Sequence, residues 1–239
     1  MVAYENFFIL FVLNLWTSLC YAQFTVWRVD QRSPDDIRTA TGFLARGTSN
    51  VLQVAPNVSM YNHALGAPNG ASRSNDGYVS TTADRNTAIT FLRQMFRGDG
   101  YIYEVAAAAN FIQVTGTLGQ FSPYPNEHEY AALGGFGFEQ VIAWTHYVNG
   151  VPQGSGRVVN RDFSPRYNNL RPSNGEPHLA GFPRSHQAWS LPPWNQFPGC
   201  RRNLSRSLHS RQQCAPDEND WYIASRYIDN MCYRQTLCG

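Results

Sequence analysis

The sequence predicts an α+β fold, and three observations lead there. Segments rich in β-branched and aromatic residues outnumber helical ones. The helical signals are local, each bounded by its own cap or glycine. No internal repeat runs through the chain, which argues against solenoids and propellers. The 239 residues suit one large domain, or one domain with a small appendage. With 43% hydrophobic, 14% aromatic and 15% charged residues, there is apolar material for a core and too little charge for disorder. A net charge of +2 points to neither a nucleic acid nor a polybasic membrane partner.

Taken in order, residues 1–22 read as a secretory signal peptide. Phe7 to Trp16 is an apolar run too short to span a bilayer comfortably, and Cys20-Tyr21-Ala22 offers small residues for cleavage before Gln23. No second candidate span follows. Phe24 to Val29 mixes aromatic and β-branched residues and reads as a strand. Ser33-Pro34-Asp35-Asp36 is a helix start: Ser33 caps, Pro34 suits the first turn, and two acids face the positive end of the dipole. Residues 47–77, rich in Gly, Asn, Ser and Pro, read as long loops of the kind that cover a cleft.

Tyr78 to Thr82 reads as a short strand feeding a helix from about Ala83 to Arg97. In that helix Ala88, Phe91, Leu92, Met95 and Phe96 recur at helical spacing, and Gly98 and Gly100 stop it. Tyr101 to Val105, Phe111 to Val114 and Gln140 to Val148 are further strands. Gly119 to His128 is turn-rich, with Pro123 and Pro125, and residues 162–198 are loop-like. Asp220 to Met231 places Trp221, Ala224, Ile228 and Met231 on one face of a short helix.

Four cysteines remain after the signal: Cys200, Cys214, Cys232 and Cys238. An even number in a secreted chain predicts two disulfides. Of the three pairings, Cys200–Cys214 with Cys232–Cys238 closes the shortest loops. No CxxC pair or flanking histidine pair supports zinc, so no metal is expected. Asn57-Val58-Ser59 and Asn203-Leu204-Ser205 are glycosylation triplets.

Glu127-His128-Glu129 carries the chemistry. In an extended segment residues i and i+2 point to one side, so the two carboxylates would repel and one would resist ionisation. Such a pair suits cleavage of a glycosidic bond through an oxocarbenium-like state, one acid stabilising positive charge and the other handling the attacking group. Alone the motif is an ordinary acidic turn. Here it follows Arg28 in a strand and Ser80-Thr81-Thr82 after Tyr78.

That order of Arg, Ser-Thr-x and Glu-x-Glu resembles the signature of arginine-specific mono-ADP-ribosyltransferases, and in particular the enzymatic chain of the heat-labile enterotoxin and cholera toxin family. The likeness rests on RVDQRSPDDI (28–37), MYNHALG (60–66), DGYVSTT (76–82), LGQFSPYPNEHEYAALGG (118–135) and LAGFPRSHQAW (179–189), spread over about residues 27–214. It implies the ADP-ribosylating-toxin fold: a split, mainly antiparallel β core with flanking helices and NAD in the cleft. It implies transfer of ADP-ribose from NAD, the substrate, to an arginine of a host protein such as a G-protein α subunit.

The resemblance also implies roles. Glu129 would be the catalytic glutamate, holding the ribose 2′-hydroxyl and stabilising the cation as nicotinamide leaves. Glu127 would orient the acceptor guanidinium and help remove its proton, a task that suits a carboxylate. Ser80 would hydrogen-bond Glu129. Arg28 would contact an NAD phosphate or ribose, with Asp30 fixing it. His63 and Arg46 match a cleft histidine and an arginine of the NAD-site loop.

The expected layout is a signal peptide (1–22), a transferase domain (23–199), a disulfide-closed loop (200–214) and a short tail (215–239). Arg201, Arg202, Arg206 and Arg211 make that loop a protease target, resembling the nicked loop of the family. The family continues into a long helix that threads a receptor-binding pentamer, whereas 25 residues follow Cys214 here, which puts assembly with a B subunit in doubt. Ala131 stands where the family commonly has serine. All 19 basic residues are arginine. Lysine-poor toxin fragments escape ubiquitination in a host cytosol; GC-rich coding is the plain alternative. The rival functions are NAD glycohydrolysis and an inactive secreted binding module.

Overall fold

The computed structural model describes residues 23–48, 56–67, 71–183 and 185–196. The signal peptide, all five cysteines, the arginine-rich loop, Asn203 and the helix expected at 220–231 lie outside the described residues.

A seven-stranded antiparallel sheet forms the body. Its strands are β1 (Thr25–Asp30), β3 (Tyr78–Thr82), β4 (Gly100–Ala106), β5 (Phe111–Gln113), β6 (Glu129–Leu133), β8 (Val141–Val148) and β9 (Val151–Val159), in the order β5-β6-β3-β1-β4-β8-β9. A two-stranded ribbon pairs β2 (Gly42–Leu44) with β7 (Gly135–Gly137). Among the described residues four helices flank these: α1 (Pro34–Thr39), α2 (Met60–Leu65), α3 (Arg85–Phe96) and α4 (Val114–Leu118).

The sheet is split in its middle. β1 runs beside β4 through six residue pairs, and β3 beside β6 through five, yet β1 and β3 share only the pair Trp27–Thr82. One face of the sheet buries Val26, Val79, Tyr103, Tyr130 and Val141 with Phe43 and Phe136 of the ribbon. On the other face two clusters lie apart. Tyr78, Ala131 and Leu133 pack under α2, α4 and the segment 179–194, while Trp27, Val29, Ile102 and Tyr147 pack under α3. By strand alternation Ser80, Thr82 and Glu129 share the side of β3 and β6 that carries Tyr78, Ala131 and Leu133, whereas Arg28 lies on the face of β1 that carries Val26.

Local chemistry explains the elements that sequence predicts. Ser33 Oγ accepts from the Asp36 amide at 3.2 Å while Asp36 Oδ2 accepts from the Ser33 amide at 2.9 Å, a reciprocal cap with Pro34 in the first turn. Asp84 caps α3 through the amides of Asn86 and Thr87, and Arg97 ends it in the left-handed region at φ 54°. The helix buries Ala88 and Leu92, but Met95 is 59% exposed and is not part of the buried face expected of it.

Four expectations change. Residues 47–77 contain helix α2, capped by Ser59, whose Oγ accepts from the Asn62 amide at 3.1 Å. Ser59 also donates to the Gly181 carbonyl at 2.7 Å and its amide donates to Asn57 Oδ1 at 2.9 Å, so the half-buried Asn57 of the glycosylation triplet is tied into the fold. The strand expected over 111–114 ends at Gln113, and Val114 begins α4. Strand β9 was hidden in the sequence by Pro152, Gly154 and Gly156.

Candidate active site

The two glutamates are held by the end of β3. Thr82 Oγ1 donates to the Glu127 carbonyl at 2.7 Å, and the Ala83 amide donates to the His128 carbonyl at 3.0 Å. Between the glutamates, His128 adopts φ 48°, reversing the chain. Glu127 therefore closes the 3-10 turn Pro125–Glu127, and Glu129 opens β6. The single extended segment expected for both is replaced by a turn and a strand start. The electrostatic consequence survives: burial and the neighbouring charge of Glu129 push the Glu127 carboxyl up to about 7.

His63, on α2, links the site together. Its Nδ1 lies 2.8 Å and 3.0 Å from the two oxygens of Asp76, and its Nε2 lies 3.1 Å from Glu129 Oε1. Ser80 Oγ is 3.3 Å from the same Nε2. The hydrogen bond expected from Ser80 to Glu129 thus runs by way of the imidazole. Burial alone would lower the His63 pKa; the charge of Glu129 and the hydrogen bonds to Asp76 and Glu129 outweigh it and raise it to about 10. A ring protonated on both nitrogens donates from each, one to each carboxylate.

Asp76 had no role in the sequence reading. Its side chain is 3% exposed, and Oδ1 also accepts from the Tyr78 amide at 3.0 Å. The backbone on either side is pinned: Gly47 donates to the Asp76 carbonyl, and Gly77 donates to the Asn57 carbonyl. In sequence, Asp76-Gly77 before a strand looks like a turn. Only the fold brings a histidine from thirteen residues upstream onto its carboxylate.

Arg28 lies where β1 and β3 part. Its Nη1 donates to the Ser80 carbonyl at 2.8 Å and its Nη2 to Asp30 Oδ2 at 3.3 Å, with the guanidinium carbon 5.2 Å from the centre of the Phe43 ring. Nε is buried without a partner among the described residues. Burial lowers the Arg28 pKa despite the Asp30 charge. Burial would raise Asp30, but the hydrogen bonds from Arg32 and the charge of Arg28 hold it below the usual carboxylate range. Arg46 is exposed, its Nη1 donating to the Ser72 carbonyl at 3.1 Å, and its charge adds to the lowering of the Arg28 pKa. Of the residues singled out in the sequence, the structure joins His63, Ser80 and Glu129 directly, and Arg28 with Asp30 through Ser80. Among the described residues Arg46 makes no hydrogen bond to them and acts on Arg28 through its charge alone.

This arrangement offers a desolvated guanidinium with an unpaired N–H, which fits an anion or ribose oxygen. It also offers a carboxylate aligned by an imidazolium, and a second carboxyl near neutrality. Among the described residues no group of three or more His, Cys, Asp or Glu side chains is placed to hold a metal, and no helix is long and apolar enough to cross a membrane.

Comparison with known proteins gives concordant results. The sequence model of the family described as heat-labile enterotoxin alpha chain matches residues 4–235. A Vibrio cholerae protein named NAD(+)--arginine ADP-ribosyltransferase Chelt is 39% identical over 214 residues, covering 85% of this chain and 35% of that protein. The chain therefore spans about a third of that relative. The A chain of heat-labile enterotoxin IIB from Escherichia coli is 38% identical over 198 residues, covering 78% of this chain and 75% of that one. The solved structure of a heat-labile enterotoxin double mutant superposes with a TM-score of 0.68 at 31% identity, covering 89% of this chain and 92% of that chain.

Proposed function

Because this chain belongs to the heat-labile enterotoxin alpha chain family, we propose that it is a toxin ADP-ribosyltransferase that moves ADP-ribose from NAD to an arginine of a host protein. One observation carries the reading: Glu129 Oε1 lies 3.1 Å from His63 Nε2, on the split sheet where Arg28 reaches the Ser80 carbonyl at 2.8 Å. NAD supplies the glycosidic bond to nicotinamide and the ADP-ribose that is transferred.

The chain's residues divide the work. Arg28, kept in place by Asp30 and the Ser80 carbonyl, presents its buried Nε–H and positive charge to a phosphate or ribose oxygen of NAD. Glu129 accepts from the ribose hydroxyl and places negative charge beside the carbon that loses nicotinamide. His63 fixes which way that carboxylate faces, and Ser80 shares the imidazole N–H. Glu127, with a pKa of about 7, exchanges a proton close to neutrality, as a base for an acceptor guanidinium must. Its planar carboxylate also suits a bidentate pair with arginine.

Secretion by the signal peptide at 1–22 and action in a host cytosol belong to the same reading. So do two disulfides among Cys200, Cys214, Cys232 and Cys238, and cleavage within 200–214. Enzymatic chains of this kind act away from the cell that makes them, and an arginine-rich loop closed by a disulfide keeps the pieces joined until reduction. The test is incubation with labelled NAD and target-cell lysate, wild type beside Glu129→Ala, before and after nicking and reduction. Label on a host protein at arginine, absent from the variant, is expected. Wild type that neither labels protein nor releases nicotinamide would sink the reading; release without labelling would make it a glycohydrolase.

A further inference from the structure

We infer that Asp76 is a positioning residue of this site: its carboxylate fixes the His63 imidazole so that Nε2 holds one oxygen of Glu129 and leaves the other for substrate. The inference rests on the assignment of Glu129 given above. It begins from a buried carboxylate that the division of roles leaves unused. Asp76 spans His63 Nδ1 with both oxygens, at 2.8 and 3.0 Å, and His63 Nε2 meets Glu129 Oε1 at 3.1 Å. The three side chains are 3%, 2% and 13% exposed, so water competes little for these bonds. Glu129 Oε2 has no hydrogen-bond partner among the described residues.

The chemistry needs such a device. A carboxylate with two equivalent oxygens rotates about its terminal bond, and that torsion is soft. One charge-assisted bond to Oε1 stops the rotation and leaves Oε2 with a fixed direction. His63 can make that bond only with its proton on Nε2, and a neutral ring could place the proton on Nδ1 instead. An anion at Nδ1 keeps both nitrogens protonated. The groups facing the ring are Asp76 before β3, Glu129 of β6, the Ser80 hydroxyl of β3 and the Tyr78 ring, whose centre is 5.1 Å away. Of these only the two carboxylates are anionic. Asp76 is itself anchored by the Tyr78 amide at 3.0 Å, which sets the position of the whole line from β3.

Asp76→Asn in the full chain tests this, because the amide keeps the shape and loses the charge. Removing an outer partner that orients a working side chain costs roughly 10–100-fold, and that fall in kcat for nicotinamide release is expected with the NAD KM nearly unchanged. In the variant the His63 pKa drops from about 10, so release into water declines at a lower pH than in wild type. The second measurement needs no variant: ring ¹⁵N spectra of wild type at about pH 8 should show His63 with both nitrogens protonated. A folded variant with unchanged kcat and pH profile, or a neutral His63 ring in wild type, overturns the inference. Failure of wild type to release nicotinamide would overturn the function beneath it, and the ring spectrum, recorded without NAD, separates the two failures.

Discussion

Arg28 donates from Nη1 to the carbonyl oxygen of Ser80 at 2.8 Å, across the opening where β1 leaves β3. A strand carbonyl that would otherwise bond to the neighbouring backbone is answered by a side chain, and the same guanidinium reaches Asp30. Arg28→Lys cannot do both, since an ammonium has no planar fork. Loss of a charged hydrogen bond to the backbone should cost about 1.5–3 kcal/mol in a urea unfolding experiment. NAD KM for nicotinamide release should rise roughly tenfold, equivalent to about 1.4 kcal/mol of lost binding. A variant with wild-type stability and KM would remove Arg28 from the site.

Much of this was legible in the chain because the signals are local. Ser33-Pro34-Asp35-Asp36 caps its own helix, and Tyr78 to Thr82 shows its strand by composition alone. Helix α2 was hidden because Met60 to Leu65 is a short piece among turn residues, stabilised by Ser59 and by contacts to Ala180 and Gly181 far along the chain. Arg28, Ser80, Glu127 and Glu129 stood out through the order of their motifs. Asp76 did not, because its meaning is a contact, and contacts between a loop acid and a helix histidine have no period in sequence. The Glu-x-Glu spacing itself misled, since His128 at φ 48° breaks the extended geometry that spacing suggests.

Glu127 should set the acid limb of arginine transfer. With its pKa near 7 it is protonated below that pH and can neither take a proton nor pair with guanidinium. Transfer should therefore rise as pH increases through about 7, while nicotinamide release into water stays comparatively flat. The stability effect has the opposite sign. A carboxyl raised from 4.5 to about 7 in the folded state binds protons more tightly there, so its contribution to stability falls across that interval. Glu127→Gln should abolish the limb and most transfer, spare nicotinamide release, and gain about 1 kcal/mol of stability above neutrality, after discounting for solvent screening. An unchanged transfer limb in the variant would assign that proton elsewhere.

Glu129→Gln should act on the reaction and on two neighbouring groups at once. Nicotinamide release should fall on the order of 10³-fold, the scale for removing a preorganised electrostatic stabiliser. His63 loses its largest upward influence, so the ring pKa should drop from about 10. Wild-type His63, raised above its ordinary 6.5, contributes stability that is whole below that value and is lost as pH climbs through about 10. In the variant that loss should be smaller and complete at lower pH. Glu127 is relieved of a neighbouring charge, and its pKa should move down from about 7. Paired NMR titration of His63 and Glu127 checks both shifts, and a His63 titration that does not move would break the proposed ion pair.

Gly181 connects the packing of the fold to the alignment of the site. At φ 58° it accepts the Ser59 hydroxyl on its carbonyl, and a Cβ placed there would lie 2.5 Å from Ser59 Cβ. Ser59 is the cap of α2, and its carbonyl accepts the His63 amide at 3.0 Å. Gly181→Ala must therefore displace the start of α2, and His63 with it, relative to Glu129. The left-handed backbone and the overpacking together should cost about 2–4 kcal/mol. Gly154→Ala is the control: φ is 59°, but nothing lies within 4 Å of the added carbon, so only the backbone cost of about 1–2 kcal/mol applies. Measured where both variants remain folded, nicotinamide release should fall in Gly181→Ala and hold in Gly154→Ala. Equal activity in the two would mean that α2 does not transmit packing to the His63–Glu129 contact.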